Sequence, residues 1–248
     1  MKLYTIGSGS AGNTYLLVEG DEILILDAGV KPTQRISKYL YDLRPARPIG
    51  CLITHEHGDH SASALNLYRM GISCYATPGT AERIGEGIKT IIPYDPSCFR
   101  QDVKTIGNAF LVMAFKTNHD AADPCGFLIT NTLTGERMIY ATDTYYMTYR
   151  FPGIHYWLVE CNYCNELITE DTPPILEKRL KESHMSLDRL CQVFGANDLS
   201  TCRKIVLCHI SQDRGDPDMM KRRIRDQTHK PVEVTKAGCM HELNPEPF

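Results

Sequence analysis

The sequence predicts an α/β (α+β) protein folded as a four-layer αββα sandwich, with two sheets face to face and helices outside. Three observations carry that expectation. Two runs of short apolar segments are each followed by helical patterns, as two half-sandwiches require. Several of the apolar segments end abruptly in His or Asp, so polar side chains gather at one edge of the sheets. With 248 residues, 42% of them hydrophobic, the chain can bury a full core as one domain over 1–248, its halves dividing near residue 130.

Positions 2–6 and 14–19 alternate apolar and polar, like two strands of a hairpin or meander. Between them, Gly7-Ser8-Gly9-Ser10-Ala11-Gly12-Asn13 reads as a tight turn. A phosphate cradle is the alternative, but the loop lacks the Lys of a P-loop and no helix follows it. A strand over 22–27 leads into Asp27-Ala28-Gly29, and 32–43 reads as a helix with Pro32 near its first turn. A buried strand over 49–53 runs into Thr54-His55-Glu56-His57-Gly58-Asp59-His60, after which Ser61 would cap a helix over 62–70. Strand, helix and strand follow over 72–76, 78–85 and 89–92.

Two strands around Gly107-Asn108 span 98–115, and the second runs towards His119. Strands over 127–132 and 137–141 flank Thr134-Gly135 as a hairpin, and the second leads to Asp143. A strand over 156–162 carries Glu160 and Asn162, candidates to line a site. Helices over 173–182 and 186–194 leave His184 between them, with Ser186 as N-cap. A strand over 204–207 precedes His209. A basic helix over 217–229, read as a solvated face, and an edge strand over 231–235 complete the pattern, and 244–248 read as loose.

Net charge is −3 and the isoelectric point near 6.3, so no global basic field draws the chain to nucleic acid or anionic membrane. The first residues lack the apolar core of a signal peptide. No apolar run approaches the ~20 residues of a membrane span. Ten cysteines without a secretion signal point to free thiols in a cytoplasmic protein. Cys161 and Cys164 have redox or zinc spacing, but no second pair accompanies them, and they read as buried or incidental thiols.

The stretch from His55 to His60 holds three imidazoles and a carboxylate, the ligands that bind Zn²⁺ and similar ions near neutral pH. It is not the helical HExxH of metalloproteases, because position 59 is Asp. His55-x-His57-x-Asp59-His60 resembles the defining motif of the metallo-β-lactamase superfamily of hydrolases. The resemblance extends to Asp27-Ala28-Gly29 and, through the segment from His119 to Gly126, to the YycJ/WalJ-like branch related to tRNase Z. It implies His55, His57 and His119 on one metal, Asp59, His60 and His209 on a second, and Asp143 bridging both.

The cofactors implied are two divalent ions, Zn²⁺ or alternatively Mn²⁺, with a water between them losing its proton to become the nucleophile. Asp59 and His184 are the candidate catalytic residues. The first compensates the charge of the metals, and the second is left over to protonate a leaving alkoxide. The branch implies a phosphodiesterase or nuclease, specifically a DNA exonuclease. The alternatives are a cyclic-nucleotide phosphodiesterase of the phage-encoded type and a glyoxalase II-like thioester hydrolase. The expected partner is a nucleic acid or nucleotide substrate, with no membrane, and a homodimer is admitted.

Overall fold

Strand β3 (Glu22–Leu26) shows how the layers arise: Leu24 and Leu26 face one way and Ile23 and Ile25 the other, all fully buried. A strand apolar on both faces must be covered on both. The structure, a computed structural model, describes residues 1–96 and 102–243. In it β3 lies between β2 (Thr14–Glu19) and β4 (Arg47–Leu52). β1 (Lys2–Gly7) and β14 (Met240–Glu242) extend the sheet on one side, β5 (Cys74–Ala76) and β6 (Lys89–Thr90) on the other. Pairing is antiparallel from β14 to β3 and parallel from β3 to β6.

The second sheet repeats this plan. Strands β7 (Val103–Ile106), β8 (Phe110–Lys116), β9 (Cys125–Asn131) and β10 (Arg137–Ala141) form an antiparallel meander. β11 (Tyr156–Glu160), β12 (Lys204–Cys208) and β13 (Val232–Val234) continue it in parallel.

Between the sheets lies one core, with Leu17, Leu24 and Leu52 against Phe110, Phe127 and Tyr140. Outside the first sheet, α1 (Thr33–Asp42) and α3 (Ala64–Arg69) bury Ile36, Leu40 and Leu67 against Ile23 and Ile25. Outside the second, α6 (Leu187–Ala196) and α7 (Pro217–Thr228) bury Leu190, Phe194 and Ile224 around Trp157. Each such side chain contributes about 1.5–3 kcal/mol when fully buried. This is the expected four-layer αββα arrangement.

Helix starts follow side-chain chemistry. Ser186 accepts from the Arg189 N–H at the start of α6, and Asp216 accepts from Asp218 and Met219 N–H ahead of Pro217 in α7. At the end of the sandwich where β3 begins, the Glu22 carboxylate accepts three N–H bonds from the β7–β8 turn. Gly107 in that turn has φ of +62°, and a Cβ there would sit 2.4 Å from Glu22.

Several expectations are corrected. The chain passes from the first sheet to the second between β6 and β7; residue 130 falls at the β9–β10 hairpin, inside the second sheet. Ser61 caps nothing: it ends a short helix α2 (Gly58–Ser61), and its hydroxyl donates to the Glu56 and His57 carbonyls, so the longer helix begins only at Ala64. β14 was not expected, because its partner β1 lies at the opposite end of the chain. Of the expected strand pair over 98–115, residues 98–101 lie outside the described residues, as does the expected loose segment 244–248.

Cys161 and Cys164 are buried free thiols. On α7, Arg223 pairs with Asp188 and Glu166 while Lys221 and Arg222 are exposed. Among the described residues no helix is long and apolar enough to cross a membrane.

Candidate metal centre

Six strands deliver polar side chains to one end of the sandwich. Asp27 follows β3, the segment from His55 to His60 follows β4, and His119 follows β8. Asp143 follows β10, Glu160 ends β11, and His209 follows β12. Asp27, Asp143 and His209 take positive φ (57°, 48° and 50°), a left-handed turn that bends each side chain out of its strand direction. Non-glycine residues hold that conformation only where their surroundings enforce it, and such positions cluster at functional sites.

All eight expected residues converge. His55, His57 and His119 form one group and Asp59, His60, Asp143 and His209 another, with donor atoms in each within 4.8 Å of one another. Asp143 lies between them. Its Oδ2 is 3.7 Å from His55 Nε2, 3.6 Å from His119 Nε2 and 3.3 Å from His60 Nε2, while its Oδ1 is 3.0 Å from His209 Nδ1. The Nε2 atoms of His55 and His209 are buried without a hydrogen-bond partner. Buried polar atoms left unpaired are costly, so this donor set fits divalent cations such as Zn²⁺.

Outer partners aim the imidazoles. Asp27 accepts the His60 Nδ1–H at 2.7 Å, the Thr54 N–H at 2.8 Å and the Tyr140 hydroxyl at 2.5 Å. His119 donates its Nδ1–H to the Ser183 carbonyl at 2.9 Å. These bonds turn Nε2 of each ring into the cluster, where Asn13 Nδ2 lies 3.0 Å from His60 Nε2 and His57 Nδ1 lies 3.2 Å from His119 Nε2. Gly29 lets the metal loop lie close, since a Cβ there would be 1.7 Å from the Asp59 carbonyl oxygen.

The Gly/Ser loop is a turn that braces the same loop. The Asn13 N–H donates to the Asp59 carbonyl at 2.7 Å, and the Ser8 hydroxyl accepts the His209 N–H at 2.9 Å. Asp123 ties the segment after His119 to the start of helix α4 (Pro78–Ile84), its carboxylate accepting from Gly79 N–H.

His184 sits beside the cluster, its ring stacked on His209 at 5.5 Å and tilted 60° to His119 at 5.7 Å. Its Nδ1–H donates to Glu160 at 2.7 Å, and His209 Nδ1–H donates to the same oxygen at 2.9 Å. Glu160 is the residue whose part was least defined by sequence. It is fully buried behind both rings, and nothing in the sequence links it to a His 24 positions later. Asn162 holds the loop after β12 by donating to the His209 carbonyl at 2.8 Å.

Burial pushes these groups towards neutrality, and their neighbours oppose it. Burial would lower His209, but Asp143, Asp59 and Glu160 outweigh it and push it up to about 10. Burial would likewise lower His184, and the Glu160 carboxylate raises it. For Asp143, burial is overcome by His209, His60 and His55, which hold the carboxyl well below its usual range. Burial instead lowers His55 and His119, whereas at His209 a cation would have to displace a proton.

A cavity of about 330 Å³ opens over the cluster, lined by His57, Asp59, His184, the Ser8–Ala11 loop and Arg179 of helix α5 (Pro174–Ser183). Residues 24–210 match the model of the β-lactamase superfamily domain. The chain belongs to this superfamily. As a metallo-β-lactamase superfamily hydrolase it is 26% identical to exodeoxyribonuclease YycJ of Bacillus anthracis, over 97% of this chain and 94% of that protein. It is 28% identical to exodeoxyribonuclease WalJ of Streptococcus pneumoniae, over 86% of this chain and 82% of that one. The metallo-β-lactamase fold protein YhfI of Bacillus subtilis superimposes with a TM-score of 0.71 at 19% identity, covering 97% of this chain and 98% of YhfI.

Proposed function

We propose that this chain is a dinuclear metal-dependent phosphodiesterase that degrades DNA from an end, as the names of its YycJ and WalJ relatives suggest. The observation that carries the reading is His184, an imidazole at the cavity that neither ligand group requires, held by a buried carboxylate. In this reading His55, His57 and His119 would hold one cation and Asp59, His60 and His209 the other, with the Asp143 carboxylate between the two groups. Two such cations, when bound, supply Lewis acidity at the phosphate and a water acidic enough to ionise near neutral pH.

The protein residues then do three things. Asp59 and Asp143 balance the cationic charge. Asp27, through His60, fixes which imidazole nitrogen faces inward. His184, with Nδ1 committed to Glu160, presents Nε2–H to the departing oxygen, and the Glu160 carboxylate steadies the proton on the ring until transfer.

The test compares purified holoenzyme with His184→Ala on single-stranded DNA, double-stranded DNA, RNA, a cyclic nucleotide, a thioester and a bis-nitrophenyl phosphodiester. DNA hydrolysis is expected, falling roughly 10²–10⁴-fold in the variant while metal content stays the same. The loss should shrink on the nitrophenyl ester, whose leaving oxygen needs no proton. Turnover of the thioester alone overturns the phosphodiesterase reading. Equal losses on DNA and nitrophenyl ester, or a lost metal, overturn the donor role.

A further inference from the structure

Helix α5 separates two cavities. The inner one, about 330 Å³, holds the metal-ligand cluster; the outer one, about 730 Å³, lies on the other side of the helix. His119 and Arg179 line both, so the two cavities meet at these side chains. The outer cavity is also bordered by Tyr145, Ile175 and Lys178. We propose that this outer cavity is the subsite for the nucleotide adjoining the scissile phosphate of a single-stranded DNA, which rests on the reading of the chain as a DNA phosphodiesterase.

Three features support the assignment. Lys178 and Arg179 are exposed, and neither is in an ion pair among the described residues. Two unpaired cations beside a phosphodiesterase centre suit the next phosphate of the strand, the guanidinium offering a two-pronged contact. Two acidic residues, Asp120 and Glu182, also line this cavity, and neither forms an ion pair with Lys178 or Arg179 among the described residues. Glu182 is on the last turn, and Asp120 accepts the Ser183 hydroxyl at 3.1 Å and faces His119 Nε2 at 3.4 Å.

The cavity also offers apolar surface for an unstacked base. Ile175 is 87% exposed, an unusual state for a large aliphatic side chain. The Tyr145 ring is backed by the Arg189 guanidinium at 5.2 Å, and Arg189 donates to the Lys181 carbonyl at 2.6 Å, fixing the ring against α5. An aromatic face beside cations is how single strands are gripped without reading their sequence. The Ser183 carbonyl holds His119, so the subsite and the metal cluster keep one spacing.

The test uses holoenzyme and the variants Lys178→Ala and Ile175→Ala, both outside the inner cavity, with bis-nitrophenyl phosphate, a dinucleotide and a longer single-stranded oligodeoxynucleotide as substrates. Wild type should prefer the oligonucleotide to the dinucleotide. Each variant should raise the KM for the oligonucleotide about fivefold or more, and Lys178→Ala alone should also flatten the dependence of log KM on log salt by about 0.7 for its lost phosphate contact. Turnover of bis-nitrophenyl phosphate should not change. An unaltered oligonucleotide KM and salt slope, or equal losses on all three substrates, overturns the subsite while leaving the phosphodiesterase reading standing. Preference for the same sequence as RNA overturns the assignment to DNA. Wild type that cleaves neither nucleic acid fails both readings, a pattern distinct from the others.

Discussion

Asp27→Asn separates the aiming of a ligand from its identity. The left-handed backbone at position 27 tolerates Asn, so the chain need not move. One carboxylate oxygen takes the Thr54 N–H; the other takes the His60 Nδ1–H at 2.7 Å and the Tyr140 hydroxyl at 2.5 Å. An amide oxygen can replace the first, but an amide nitrogen in place of the second is a donor facing two donors. Tyr140 can rotate its proton and accept. His60 can accept at Nδ1 only by moving its proton to Nε2, the atom aimed at the cation.

Exchanging charged for neutral hydrogen bonds costs about 1–3 kcal/mol. In a domain of this size the melting temperature should fall by about 2–4 °C for each of them. The larger effect is on metal. Loss of such an outer partner typically weakens binding about 10–100-fold, here for the cation at Asp59, His60 and His209 and not for the one at His55, His57 and His119. Competition against a chromophoric chelator resolves the two affinities. If both stay at wild-type values while the protein melts earlier, His60 is not aimed by Asp27 at a cation and the reasoning fails.

Two further perturbations probe the rest of the frame. Asp143→Asn keeps a residue that accepts its positive φ but removes the charge between the two ligand groups, so bound metal should fall towards one ion per chain and activity should nearly vanish; elemental analysis showing undiminished metal would refute the bridging position. Glu22→Ala leaves three N–H groups of the β7–β8 turn unpaired and should cost about 2–5 kcal/mol, read as a lower thermal midpoint with specific activity retained, because Glu22 is at the opposite end of β3 from Asp27. An unchanged midpoint would show that the turn finds other partners.

The gathering of the candidate ligands was legible because each follows an apolar run, so a strand that must be buried carries its polar successor to the sheet end. His55, His119, Asp143 and His209 all follow this rule. The pairing of Glu160 with His184 was not legible, since it depends on how the end of β11 meets the turn after α5. The same holds for Tyr140, which reaches Asp27 from the facing sheet across 113 positions. The helix after the metal loop started later than expected because Ser61 bonds backward to carbonyls instead of forward to N–H groups, a choice that composition does not encode.

The β1–β14 pairing has a consequence for synthesis. Leu3 stands opposite His241, and Thr5 shares a hydrogen bond with Thr235 at 2.5 Å, so β1 is flanked by a segment that leaves the ribosome long after it. Until then β1 presents a bare row of peptide groups, the kind of edge to which another nascent chain can add. His209 arrives only shortly before, so the second ligand group is also completed late. The three-histidine group is therefore complete in the growing chain well before the group that needs His209.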